Sequence, residues 1–373
     1  MNPPTSLSRR SFGRLAAGVV AATALPWKGL EAGPAGGGGG RPIRLSNNEN
    51  PFGPAPAALE AIRTAFADAA RYPDDPAGEL LASIARMHGV PPEQVLLGAG
   101  SGEILKWAAV TFTGPGRMLV EAEPTFEALS RHTRLAGGEV TRVPLNPRFE
   151  HDLPRMLDAA RRADLVYICN PNNPTATITP ATSLREFVAA VPAQTRILVD
   201  EAYHHYVTSP DYGTLMDLVP RHPNLIVART FSKIFGMAGL RCGYCVSSQE
   251  TIRKMAAHQG WDSVSALTVA AARASLGEEG HVAEHRARNL STRSFVRTEV
   301  ERLGPAVLPS EANFVMIDMG RDVMPVIAAL GDRGIQVGRR FAAMPQHLRV
   351  TIGTPEEMKS FVQEFARAVR SDG

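Results

Sequence analysis

Short apolar runs recur along this chain with helix-like stretches between them, and that alternation limits its fold more than any other feature. The runs fall at residues 95–97, 118–120, 165–169, 197–199, 225–228 and 244–246. Each is strand-length rather than helix-length, so each reads as a strand. Helical spacing precedes the first run, with Leu59, Ile62 and Phe66, and helix-like stretches separate most of the runs. Such alternation builds a large, mostly parallel sheet with helices on both faces, an α/β architecture. From about Leu267 the pattern changes. A long charged helical region to Leu303, short apolar runs at 313–317 and 348–352, and a helix at 323–330 read as a smaller C-terminal α+β domain. The expected divisions are 1–32, 33–52, 53–266 (the large domain) and 267–373 (the small domain). A chain of 373 residues, 44% hydrophobic and 21% charged, can bury both cores.

The first segment reads as a signal rather than as part of the fold. Ser8-Arg9-Arg10-Ser11-Phe12 precedes an apolar stretch at 15–25 that is too short to span a bilayer. Ala22-Thr23-Ala24 then offers small residues for cleavage. A basic region, an apolar region and small residues in that order describe a secretory signal. The paired arginines followed by Phe12 resemble a twin-arginine signal. The expectation is export to the periplasm by the twin-arginine machinery, with no membrane attachment after cleavage. The segment 33–52 then reads as a Gly-rich linker running into an extended N-terminal strap. The net charge of +3 resides in the signal, because cleavage after Ala24 removes Arg9, Arg10 and Arg14. No run of Lys or Arg marks a nucleic-acid face. The twin-arginine route carries folded proteins, which suits a protein that loads a cofactor before crossing.

Three segments that follow strands carry the chemistry. Lys233 comes just after the run at 225–228, and burial at a strand end lowers a lysine's pKa. Such a lysine can form a Schiff base. Asp200 ends the run at 197–199, with Tyr203 three residues on. The Asp alone could be a metal ligand, a helix cap or a partner for a cation. Asn170-Pro171-Asn172-Asn173-Pro174-Thr175 follows the run at 165–169 and by itself reads as a turn. Ligands gather at the carboxyl ends of such strands.

With these segments in place, the chain resembles the fold type I pyridoxal-phosphate (PLP) aminotransferases, in particular the histidinol-phosphate aminotransferase branch. The resemblance runs from about Leu45 to Met358. It rests on Asn48-Glu49-Asn50-Pro51-Phe52-Gly53-Pro54, Arg71-Tyr72-Pro73-Asp74, Gly98-Ala99-Gly100-Ser101, Asn172-Asn173-Pro174-Thr175, Asp200-Glu201-Ala202-Tyr203, Ser232-Lys233 with Arg241, and Leu348-Arg349-Val350. It implies that Lys233 holds PLP as a Schiff base and shuttles a proton, and that Asp200 pairs with the ring nitrogen. It implies Asn173 and Tyr203 on the ring oxygen, and Phe126 stacked on the ring. Ser101, Gly102, Thr230 and Arg241 would hold the phosphate. Arg349, with Asn50 beside it, would hold the substrate. Tyr72 would reach the phosphate of a second subunit, so the resemblance implies a homodimer with shared sites. The implied reaction moves an amino group from an amino acid to a 2-oxo acid. Decarboxylation, oxidation or elimination on the same cofactor, or an exported PLP-binding protein without turnover, are the alternatives.

The chain departs from the pattern at Ala176, where the family usually has Gly, at Phe126 for Tyr, and at Gly102 for an acidic residue. Gly338-Arg339-Arg340-Phe341 differs where histidinol-phosphate enzymes keep an arginine for the substrate phosphate. That departure and the export signal both set histidinol phosphate aside as the obvious donor. His281-Val282-Ala283-Glu284-His285 fits an inverted zinc-protease pattern. Nothing nominates a third ligand, so a solvated helix face is expected and no metal. Cys242 and Cys245 lie three apart on a strand, which points them to opposite faces rather than to a redox pair.

Overall fold

In the computed structural model, which describes residues 42–370, the apolar runs are strands. The N-terminal strand β1 is Ile43–Leu45. The large sheet holds β2 (Val95–Gly98), β3 (Met118–Glu123), β4 (Glu139–Pro144), β5 (Leu165–Cys169), β6 (Arg196–Asp200), β7 (Leu225–Thr230) and β8 (Gly243–Val246). Their order across the sheet is β2-β8-β7-β6-β5-β3-β4. All neighbours are parallel except β8, which runs antiparallel to both β2 and β7. No helix intervenes between β7 and β8 to carry the chain back, so β8 runs the other way. Strand β4 lay outside the predicted runs, because as an edge strand it buries little besides Val143.

Alternation along each strand splits the core into two layers. Val166, Ile168, Ile197, Val199 and Val227 face one side, with helices Pro56–Ala65, Asp74–His88 and Ala266–Leu276. Leu165, Tyr167, Cys169, Leu198 and Ile226 face the other, with helix Ser101–Phe112 and its Trp107. Cys242 belongs to the first layer and Cys245 to the second, so the sheet separates the two thiols.

The smaller core forms around β9 (Ala306–Val307), β10 (Phe314–Asp318), β11 (Ile335–Val337) and β12 (His347–Thr351), covered by helix Pro355–Arg370. Its contents correct the expected boundaries in two places. The helical region beyond Leu267 is two helices, and the first, Ala266–Leu276, buries Val269, Ala271 and Ala272 in the large core. The strap does not stand apart either. Strand β1 pairs in parallel with β11, and Leu45 is wholly buried in the small core. The chain thus crosses between the two cores just after Leu45, and this crossing positions the site.

Candidate active site

Four strands of the large sheet end at one cavity of about 370 Å³. Strand β5 delivers Asn173, β6 delivers Asp200 and Tyr203, and β7 delivers Thr230, Ser232 and Lys233. Strand β2 leads into helix Ser101–Phe112, whose first residues Ser101 and Gly102 also line it. Phe126, Arg241 and Arg349 complete the wall.

Lys233 donates to the carbonyl oxygens of Asn48 (3.1 Å) and Asn47 (3.4 Å). Burial, with Arg349 nearby, lowers its pKa to about 8. Asp200 is buried, which raises its carboxyl to about 6 in spite of hydrogen bonds from Tyr167 Oη (3.0 Å) and the Ala202 amide (3.1 Å). A cation set against Asp200 would reverse that rise.

The anion end of the cavity is built from glycine and arginine. Gly100 precedes the helix with φ +84°, and no side chain caps the first turn. The helix N–H groups and the positive end of its dipole therefore remain for a ligand. Arg241, itself at φ +63°, donates to Ser232 Oγ (3.2 Å) and to the carbonyls of Ala238 (3.0 Å) and Ala99 (3.2 Å). A Cβ on Gly100 would strike the Arg241 guanidinium, and one on Gly243 would strike the Ser101 amide.

Arg349 donates from Nη1 to Asn173 Oδ1 (2.8 Å) and from Nη2 to the Ser46 carbonyl (2.7 Å). Its Nε is buried with no hydrogen-bond partner among the described residues. An unpaired buried donor on a guanidinium is costly and fits an incoming carboxylate. Gly338 packs against this side chain, and a Cβ there would press on the Arg349 backbone and Nε.

Taken together, these residues fit a ligand with an anionic group at one end, a basic ring nitrogen at the other and an amine-reactive carbon between. PLP has those three features. Two expected site residues lie elsewhere. The Asn50 amide donates to the Ile234 carbonyl (2.8 Å) and meets His285 Nδ1 (2.7 Å), outside the residues that line the cavity. Tyr72 lies outside the cavity and is 78% exposed. Asn48, Tyr167 and Ser232 carry no role in the sequence expectations. Asn48 and Ser232 stood inside recognised motifs, whereas Tyr167 looked like one more member of an apolar run.

Residues 41–365 match the family described as aminotransferase class I and II. A histidinol-phosphate aminotransferase of Symbiobacterium thermophilum is 40% identical over 329 residues, covering 88% of this chain and 90% of that one. An aromatic amino acid aminotransferase of Thermobifida fusca is likewise 40% identical over 324 residues, covering 87% and 89%. Among solved structures, histidinol-phosphate aminotransferase from Sinorhizobium meliloti in complex with pyridoxal-5'-phosphate superposes with a TM-score of 0.85. It is 30% identical, with 89% of this chain and 92% of that chain covered.

The crowding of Gly100 against Arg241 gives a direct test. Gly100→Ala should weaken PLP binding about ten- to hundredfold, the loss of a charge-assisted contact. Equilibrium titration of the cofactor measures it, and an unchanged Kd would contradict the assignment of the anion end.

Proposed function

We propose, from the premise that this chain belongs to the class I and II aminotransferases, that its PLP-dependent amino-group transfer runs on Lys233, Asp200, Tyr203, Asn173, Arg241 and Arg349. The carrying observation is one cavity that holds an amine lowered to about 8, a buried carboxylate and a guanidinium with an unpaired Nε.

When bound, PLP supplies an electrophilic carbon for an amine and a ring that draws electrons from the carbon attached to the nitrogen. The chain's own groups supply the rest. Lys233 is neutral in an appreciable fraction near neutral pH, so its Nζ serves as nucleophile and, once freed, as the base that takes and returns a proton. Asp200 would hold a proton on the ring nitrogen, and Asn173 and Tyr203 would offer polar groups to the ring oxygen. Ser101, Gly102, Ser232, Thr230 and Arg241 would hold the phosphate, with Phe126 beside the ring. Arg349 binds the α-carboxylate through its unpaired Nε, which fixes the amino acid without reading its side chain.

Donor choice falls to the residues packed beside Arg349. Phe341 has the Arg349 guanidinium 5.2 Å from its centroid and the Arg339 guanidinium at 4.5 Å. Arg339 in turn pairs with Glu127, next to Phe126, and Arg340 pairs with Asp322 (2.8 Å). Arg339 and Arg340 are thus each paired with a carboxylate of the chain itself. That arrangement favours a neutral, aromatic-type side chain over one ending in phosphate or carboxylate.

Tyr72 supports a homodimer. Its side chain, Phe66 (60% exposed) and Trp261 (97% exposed) stand out in solvent, and Trp261 edges a groove of about 520 Å³ that Pro73 and Leu81 also line. Large exposed aromatics of this kind mark an interface. A second copy seated there would take Tyr72 toward its own cavity. The paired arginines Arg9 and Arg10 lie outside the described residues and support export to the periplasm.

Mixing two impaired variants tests Lys233 and the dimer together. Lys233→Ala should abolish both transamination and the visible band of the loaded protein, and Tyr72→Ala should weaken cofactor binding. Hybrids of the two should regain activity, because one site per hybrid is intact; no recovery would rule out shared sites. For donor choice, Glu127→Gln should shift the kcat/KM ratio toward distal-anion donors by about two- to fivefold. A ratio that stays constant would remove Glu127 from selectivity. Export is checked by cell fractionation, where the double change Arg9→Lys and Arg10→Lys should leave the full chain in the cytoplasm. Equal periplasmic yield would refute the twin-arginine reading.

A further inference from the structure

Asn48 is the residue of the strap that enters the cavity most deeply. It is 2% exposed and takes φ +54°, a left-handed conformation that Asn tolerates better than most residues. Its main chain and side chain both bond to the site. The Asn48 amide N–H donates to Thr351 Oγ1 (2.9 Å), and Thr351 Oγ1 lies 3.1 Å from Asn48 Oδ1, to which it donates. Thr351 accepts from the Asn48 N–H through one lone pair and gives its single proton to Asn48 Oδ1. The amide group of Asn48 is therefore fixed with Oδ1 toward Thr351 and Nδ2 away from it. Nδ2 then donates to Tyr203 Oη at 3.0 Å.

That direction decides what Tyr203 can do. A phenol has one proton. Since Asn48 donates, the Tyr203 oxygen accepts, and its own proton is free to point elsewhere. Tyr203 lines the cavity beside Lys233, whose Nζ lies 5.6 Å from the ring centroid. The Asn48 carbonyl meanwhile accepts from Lys233 Nζ and from Asn313 Nδ2 (3.0 Å). One buried residue thus links the lysine, the tyrosine and, through Thr351, the strand that carries Arg349.

We propose that Asn48 is a positioning residue for amino-group transfer: its amide, oriented by Thr351, makes Tyr203 a hydrogen-bond donor toward the bound cofactor. This rests on the reading that Tyr203 contacts PLP. A hydroxyl that accepts a hydrogen bond is polarised and becomes a better donor, so removing the Asn48 amide weakens the contact that Tyr203 makes.

Asn48→Gly is the suitable deletion, because glycine adopts the positive φ and keeps the three main-chain bonds. The cofactor Kd is measured for wild type, Asn48→Gly, Tyr203→Phe and the double variant, with the thermal midpoint recorded for each. Asn48→Gly should weaken PLP binding about three- to tenfold when Tyr203 is present. In the Tyr203→Phe background the same change should cost less than about twofold, since contacting residues are not additive. Equal losses in both backgrounds would overturn the proposal, because a merely structural Asn48 acts regardless of the phenol. A Tyr203→Phe variant that binds PLP as wild type does would defeat the Tyr203 reading, and the proposal with it. Asn48→Asp supplies a second readout. At neutral pH its carboxylate keeps the shape but can only accept from Tyr203, so it should weaken PLP binding at least as much as Tyr203→Phe. Unchanged binding in Asn48→Asp would also overturn the proposal.

Discussion

The structure is arranged around keeping the Lys233 amine away from bulk water while leaving it within reach of a ligand. An ammonium ion loses hydration there, and its pKa falls to about 8 as a result. What makes this tolerable is a set of partial compensations: two strap carbonyls accept its hydrogen bonds, and Asp200 lies close enough to attract it. Only the carboxyl edge of a parallel sheet brings these groups together, since β5, β6 and β7 all end on the same side. The same edge brings in the helix N-terminus and Arg241, so the cation, the carboxylate and the anion site share one cavity.

The strap makes the two cores act as one site. Leu45 is buried in the small core and β1 pairs with β11, yet three residues later Asn48 bonds to Tyr203 of the large sheet. Arg349 repeats the link in the other direction, leaving β12 of the small core to reach Asn173 and the Ser46 carbonyl. Substrate grip and cofactor chemistry are thereby joined through a few buried hydrogen bonds. Such a network is strong when its members are satisfied, and Arg349 Nε, buried without a partner among the described residues, is where a carboxylate belongs.

Much of this was legible in the sequence, for identifiable reasons. Strand positions follow from apolar runs, and the separation of Cys242 from Cys245 follows from the two-residue period of a strand. The departure at Ala176 also gains a physical meaning: it is fully buried at φ +64°, a conformation in which glycine is easier. Other features depend on tertiary contacts that no spacing reveals. Asn50 and Asn48 sit two apart in one motif, and only the bend of the strap turns Asn48 inward and Asn50 toward His285. Tyr167 is one apolar-looking residue among five, and its role as donor to Asp200 needs the register between β5 and β6. The helix Ala266–Leu276 carries no local mark of which core it joins; its burial against helix Pro56–Ala65 decides that.

The central claim is that the cavity transfers an amino group and stops there until an acceptor arrives. A single-turnover measurement tests it most directly. Cofactor-loaded protein is mixed with excess aromatic amino acid and no 2-oxo acid, and the products are quantified against cofactor. One equivalent of 2-oxo acid per site should form with loss of the visible band, and a second, different 2-oxo acid should restore the band and yield its amino acid. Continuous release of carbon dioxide or ammonia, without need of an acceptor, would contradict the account.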